Sequence, residues 1–339
     1  MIDVAEAVRA HSMKFGLWFE IERALKSAGP VEEHPDYFLE YEGTRFLDFA
    51  NPEACSYMLD VLSAQINRYG IEFIKFDFNV DMLYDKYHSA FTKYYAGYRA
   101  FMKELRRRHP TVYFQNCASG GMRMNLTNLA DFDSFWFSDN QAPYYGLEII
   151  KNSMLRLPPQ IIDRWACIQS TSGIRTYFKP DATKLISTNS STWESITGIQ
   201  ESYLKGFLTG GPIGFSSDLT KLAPDAVEML AEFVAEFKKN REFWMKASCR
   251  VLTDTQNVLT LQYSDEALDK AVVVVFIKTI MQRKVQVFPV LDMAASYQLQ
   301  DGSVMTAGQI DAEGLWADVS VNQDEGNNHA RFFFLEKKG

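Results

Sequence analysis

The chain has 339 residues, 47% of them hydrophobic and 23% charged, with a formal net charge of -8. That length exceeds one ordinary compact core, so a large domain with a smaller companion is expected, and the apolar share excludes a disordered chain. The acidic balance argues against nucleic acid or an anionic membrane as the main partner, because both reward basic patches, and a neutral substrate fits better.

Ile2 to His11 reads as a helix that feeds at once into a strand, Phe15 to Glu20. Asn51 as N-cap, Pro52 at the first helical position and Gly70 at the end bracket a helix over Pro52 to Tyr69. Strands follow at Ile71 to Phe78, Val112 to Cys117, Phe135 to Asn140, Arg164 to Gln169 and Pro212 to Ser217. Helices are expected between and after them at Ala90 to Arg108, Gly146 to Leu155, Thr192 to Thr209 and Pro224 to Phe243. The basic run Arg106, Arg107, Arg108 closes its helix, where cations favour the negative dipole end.

Short apolar runs alternating with helices predict a parallel α/β fold, here a (β/α)8-type (TIM) barrel that is incomplete at six βα units. From about Arg250 the pattern becomes β-rich: Val258 to Tyr263, Ala271 to Ile277 and Val285 to Val290 predict an antiparallel C-terminal β-sandwich. Asp301-Gly302, Glu313-Gly314 and Gly326-Asn327-Asn328 mark turns. The expected division is a partial barrel over residues 1–246 and a β-sandwich over 247–339.

No apolar run reaches the roughly 18 residues of a transmembrane helix, and the first residues lack a signal-peptide pattern, so a cytoplasmic protein is expected. Cys55, Cys117, Cys167 and Cys249 lie too far apart for a zinc knuckle or redox motif and read as reduced thiols. The five histidines are scattered without metal-ligand spacing, so zinc chemistry is not expected.

Barrels place their chemistry at the C-terminal ends of the strands. Lys75, Asp77 and Asn79 recur at period two there and so share one side, the interior of a barrel. The adjacent lysine would keep Asp77 ionised, as a nucleophile requires. A buried ion pair that only holds the strand fits the same residues, but burying three polar groups in a row is costly, which favours function.

Phe135-Trp136-Phe137-Ser138-Asp139 ends a second strand in a carboxyl that aromatic neighbours would desolvate, raising its pKa as a proton donor needs. Taken alone, a helix N-cap by Ser138, Asp139 or Asn140 explains the segment better. The two aspartates together make the acid and nucleophile pair of a retaining glycosidase, whose carboxyls stand about 5–5.5 Å apart. The paired glycines of Cys117-Ala118-Ser119-Gly120-Gly121 allow close backbone approach to a ligand, or serve a tight turn.

Taken in order, these motifs resemble the bacterial α-galactosidases of glycoside hydrolase family 36. Phe15-Gly16-Leu17-Trp18-Phe19-Glu20 is similar to that family's third barrel strand, followed by a similar His34-Pro35-Asp36 and Arg45-Phe46-Leu47-Asp48. Ile74-Lys75-Phe76-Asp77-Phe78-Asn79 resembles its Lys-Trp-Asp-Met-Asn nucleophile strand, and Cys117-Ala118-Ser119-Gly120-Gly121 its Cys-Ser-Ser-Gly-Gly loop. Ser138-Asp139-Asn140 resembles its acid/base motif, and Gly214 to Leu222 its eighth strand and following loop.

The resemblance implies hydrolysis of terminal α-galactosides such as melibiose or raffinose-type sugars, without a cofactor. Asp77 would be the nucleophile and Asp139 the acid/base. Trp18, Arg45, Lys75, Asn79, Cys117, Gly120 and Gly121 would line the sugar subsite. It leaves room for a homo-oligomer. α-N-acetylgalactosaminidase activity, galactosyl transfer and a non-catalytic sugar-binding remnant are the alternatives. Phe76 stands where the family has tryptophan, Ile21 where it has proline, and Gln141-Ala142 where it has Thr-Asp. The family's N-terminal β-sandwich and first two barrel strands, with paired aspartates that hold galactose hydroxyls, have no counterpart here.

Overall fold

The computed structural model describes residues 1–41, 43–80, 90–140, 143–170, 185–187, 197–216, 218–278, 284–318 and 329–338. Ser217, Gln141-Ala142 and the turn at Gly326-Asn327-Asn328 lie outside the described residues. The chain divides into two compact units, Met1–Trp136 and Phe137–Gly339. Among the described residues, no helix is long and apolar enough to cross a membrane. All four cysteines are free thiols.

In the first unit, the strands Gly16–Phe19, Phe73–Phe76, Tyr113–Asn116 and Ser134–Trp136 pair side by side, all parallel. The helices Pro52–Tyr69 and Ala90–Arg108 follow the sequence expectation to the residue. The Asn51 side chain accepts from the Glu53 and Ala54 N–H groups, and Gly70 closes the first helix at φ 60°, a left-handed conformation that costs glycine little. The strands are shorter than predicted: the second, for example, is regular only over Phe73–Phe76.

Tyr94, Tyr98, Phe101, Met102 and Leu105 form the buried stripe of the Ala90–Arg108 helix. Each fully buried side chain of this size stabilises the unit by about 1.5–3 kcal/mol. Phe49 packs edge-on against Tyr94, Tyr98 and Phe101 at 5.4, 5.1 and 5.1 Å. Gly97 allows that approach, because a Cβ there would lie 1.8 Å from the Phe49 carbonyl oxygen.

Gly97→Ala is therefore expected to destabilise the protein by about 3 kcal/mol through overpacking, although alanine is the better helix former by about 1 kcal/mol. Urea unfolding of the two proteins measures it, and a more stable variant would contradict this packing.

A small antiparallel sheet, Arg23–Ala24, Phe38–Tyr41 and Thr44–Leu47, also belongs to the first unit and was not predicted. Its strands span two to four residues, too few to show a periodicity. Phe46 from this sheet packs with Phe78 and Ala118, joining it to the ends of the parallel strands.

In the second unit, Ile162–Ser170 pairs parallel with Ile213–Ser216, which completes the six predicted parallel strands. Four of the parallel strands thus lie in the first unit and two in the second. The helix predicted over Thr192 to Thr209 is observed only at Glu201–Leu208. Its residues 192–196 lie outside the described residues, and Thr197–Ile199 is instead a strand paired with Leu185–Ser187. A β-branched pair flanking a glycine suits that ladder better than a helix. The Pro224–Lys239 helix stops short of Phe243, because Asn240 separates it from a short turn of helix at Arg241–Trp244.

The β-rich segment forms a six-stranded antiparallel sheet in the order Ser248–Asp254, Val258–Ser264, Lys270–Ile277, His329–Lys338, Ser296–Leu299, Val304–Thr306. Lys284–Val287 and Leu315–Asp318 make a separate two-stranded sheet. Val273, Val275, Val285, Val287, Ile310 and Leu315 share one core, so the small sheet and the Ala307–Glu313 helix cover one face of the large one. On the other face Val274 and Phe276 meet Gly206 of the Glu201–Leu208 helix. Burial on both faces explains why Lys270–Ile277 reads as a continuous apolar run instead of an alternating one.

Glu148 and Asp254 each accept hydrogen bonds from both Lys151 and Lys278, at 2.5 to 3.1 Å. This charge network fastens the Pro143–Met154 helix to the Ser248–Asp254 strand.

Candidate active site

The register of the first three parallel strands sets the site. Trp18 pairs with Lys75, and Lys75 with Gln115, so alternation carries Glu20, Asp77 and Cys117 to the same side one step further on. The ladder extends to them: the Asp77 N–H donates to the Phe19 carbonyl at 2.9 Å, and the Cys117 N–H to the Phe76 carbonyl at 2.8 Å.

Asp77 is 9% exposed. Its Oδ2 accepts from Trp18 Nε1 at 3.1 Å. Its Oδ1 accepts from the Phe78 N–H at 2.8 Å and the Ser119 N–H at 3.3 Å. Burial pulls the Asp77 pKa up, but hydrogen bonds from Cys117, Asn79, Trp18 and the Phe78 N–H outweigh it and hold the carboxyl below its ordinary range. Burial pushes the Cys117 thiol well above its usual range, so it stays protonated and donates.

The predicted cause was different. Lys75 does not figure among the main influences on Asp77; its ammonium lies over the Trp136 ring, 4.0 Å from the centroid. A cation on an aromatic face is partly satisfied there, which leaves hydrogen bonding to keep Asp77 ionised.

Asn79 is anchored from both sides. Its N–H donates to Glu20 Oε1 at 3.0 Å, and its Oδ1 accepts from Ser119 Oγ at 3.3 Å. Ser119 at φ 43° and Gly120 at φ 86° make the left-handed turn that brings the Ser119 N–H back to Asp77, and Ala118 and Gly121 close it with a bridge. Tight turning and close approach are thus the same feature of this loop. Trp18 is 51% exposed and presents an open ring beside Asp77.

The structure gathers Trp18, Asp77, Asn79, Cys117 and the Gly120-Gly121 turn. Arg45 is placed otherwise: it pairs with Glu40 on the neighbouring strand and lines a cleft of about 770 Å³ with Leu25, Lys26 and Pro35. Glu20 and Ser119 were missed as site residues. The signal for Glu20 was present, since Trp18 and Glu20 show the same period-two spacing as Lys75 and Asp77.

In the second unit, Phe137 is 1% exposed whereas Asp139 is exposed, which corrects the expectation that aromatic neighbours desolvate it. The strand that was to carry it ends at Trp136. Ser138 Oγ accepts from the Asn140 N–H at 2.9 Å, so Ser138 makes the local turn around Asp139.

A carboxylate kept ionised at the C-terminal ends of parallel strands, beside an open aromatic ring, stands where parallel α/β folds place reacting groups. The chain belongs to the Melibiase family, whose model matches residues 1–173. It is similar to the alpha-galactosidase Mel36A of Lactobacillus acidophilus, at 24% identity over 256 residues, covering 70% of this chain and 32% of that protein. It is also similar to a probable alpha-galactosidase C of Aspergillus flavus, at 32% identity over 155 residues, covering 43% and 21%.

Among solved structures, the alpha-galactosidase from Lactobacillus brevis superposes with a TM-score of 0.83 at 19% identity, covering 99% of this chain and 46% of that one. A variant of the GH36 alpha-galactosidase AgaA from Geobacillus stearothermophilus in complex with raffinose gives 0.80 at 18% identity, covering 99% and 46%. The chain thus spans about a third or less of the length of these curated relatives.

Proposed function

We propose that this chain carries the catalytic carboxylates of a retaining glycoside hydrolase that removes terminal α-linked galactose from oligosaccharides. The observation that carries the reading is Asp77, held ionised by hydrogen-bond donors at the C-terminal ends of parallel strands. The relatives' names and a neighbour solved with raffinose support galactosides as the substrate class.

In the first step Asp77 attacks the anomeric carbon as the glycosidic bond breaks, and Asp139 gives its proton to the leaving oxygen. In the second step Asp139 takes a proton from water, which attacks the same carbon and frees Asp77. Exposure suits Asp139 to exchanging protons with water in both directions. Trp18 would stack on the apolar face of the sugar. Lys75, Asn79, Cys117, Gly120 and Gly121 complete the proposed subsite. We assign residues 1–246 to the catalytic part and 247–339 to a β-sandwich companion, on the ground that the six-stranded antiparallel sheet begins at Ser248.

The test is release of p-nitrophenol from p-nitrophenyl α-galactoside by this chain, and by a version extended upstream to the length of its relatives. Turnover in either, lost in Asp77→Ala, supports the proposal. Saturable galactose binding with no turnover in either would replace it with a sugar-binding role.

A further inference from the structure

Behind Asp77 lies a buried charge pair that the proposed reaction does not use. Glu22 is 2% exposed, and its carboxylate accepts from Arg123 Nη1 at 2.5 Å, Arg123 Nη2 at 3.0 Å and Tyr94 Oη at 2.7 Å. The Arg123 side chain is itself only 11% exposed. Desolvating such a pair costs several kcal/mol per ion, and apolar residues of similar volume often stabilise a core as well or better. Stability alone is a poor account of why charges sit here.

The placement supplies a better one. The Arg123 guanidinium lies over the Phe78 ring, 4.3 Å from its centroid, with the Tyr95 and Tyr98 rings at 5.3 and 5.7 Å. Phe78 is the residue whose N–H donates to Asp77 Oδ1. Arg123 also ends the loop whose Ser119 N–H reaches the same oxygen, and its carbonyl accepts from Asn128 Nδ2 at 2.9 Å. Glu22, in turn, follows Glu20, the acceptor for Asn79, by two residues. One ion pair therefore touches all three chain segments that surround the carboxylate.

We propose that Arg123, clamped by Glu22, is a positioning residue for Asp77: by holding the Phe78 ring and the 118–123 loop, it fixes the two backbone N–H groups on Asp77 Oδ1. The inference rests on the reading of Asp77 as nucleophile. A planar guanidinium can grip a carboxylate with two bonds while stacking on an aromatic face, which neither lysine nor an apolar side chain reproduces.

The test uses the double variant Glu22→Gln/Arg123→Met, which removes both charges at nearly constant volume and leaves the net charge of the site unchanged. The single variant Arg123→Lys keeps the cation without the fork. Thermal unfolding establishes that each variant folds. The Asp77 carboxyl is then titrated by NMR with isotope-labelled aspartate, its resonance assigned by its loss in Asp77→Asn.

Loosened N–H donors stabilise the carboxylate less, so Asp77 in the double variant is expected to titrate at least about half a pH unit higher than in the wild type, with Arg123→Lys between them. In whichever length of protein turns over p-nitrophenyl α-galactoside, kcat should fall about 10- to 100-fold, as misplacing a reacting group does, with KM changed less than about threefold. An Asp77 that titrates unchanged in a folded variant overturns the proposal, and Arg123→Lys decides if the double variant does not fold. Lack of turnover in the wild type would instead count against the glycosidase reading, while the titration still reports on Arg123.

Discussion

Replacing Asp77 with alanine is expected to lower turnover of p-nitrophenyl α-galactoside on the order of 10⁴-fold or more, the scale on which an enzyme loses its nucleophile. The loss should be in kcat, because a nucleophile acts in the chemical step rather than in binding. The cavity left by the carboxylate should admit a small anion from the same side. Added azide is therefore expected to restore part of the rate and to give a galactosyl azide of inverted configuration. A variant that retains wild-type turnover would remove Asp77 from the mechanism.

The same carboxyl fixes the acid side of the pH profile. Its pKa in the folded protein lies below the ordinary carboxylate value, so it is already ionised at any pH above about 4. The acid limb of kcat/KM due to Asp77 should fall below that pH. By linkage, Asp77 contributes stability that is fully present above the unfolded carboxyl's pKa and disappears as pH falls through the lower folded value. Asp77→Asn keeps an acceptor for the Phe78 N–H but carries no charge, so its unfolding free energy should depend less on pH below about 4, the ordinary carboxylate value.

Much of this site was legible in the sequence. Punctuation by Asn51, Pro52 and Gly70 placed the helix before the strand that leads to Asp77, and the period-two spacing of Lys75, Asp77 and Asn79 put the polar groups on one side. What the sequence hid was the cause of the ionised state. Trp18 and Ser119 are 59 and 42 residues from Asp77 along the chain and reach it only through strand register and a left-handed loop. A neighbouring lysine is visible in the sequence, whereas a remote N–H donor is not. The 101-residue separation of Glu22 and Arg123 hid their pairing in the same way. The small sheet from Arg23 to Leu47 escaped because its pairing partners, not its composition, define it.

Asp139→Asn is expected to separate substrates by their leaving groups. On an unactivated galactoside of the raffinose type, turnover should fall by about 10²- to 10⁴-fold, the usual worth of general acid and base help. On p-nitrophenyl α-galactoside the departing phenolate needs little protonation, so formation of the galactosyl-enzyme should be affected much less. Its hydrolysis, which needs the same residue as base, should then become slow enough to give a burst of p-nitrophenol. Asp139 is exposed, and substitutions at exposed positions usually change stability by no more than about 0.5 kcal/mol. Asparagine is nearly isosteric and can still accept a hydrogen bond, so a selective loss would be chemical in origin. Equal losses on activated and unactivated substrates, with no burst, would show that Asp139 supports binding or structure and that another residue handles the proton.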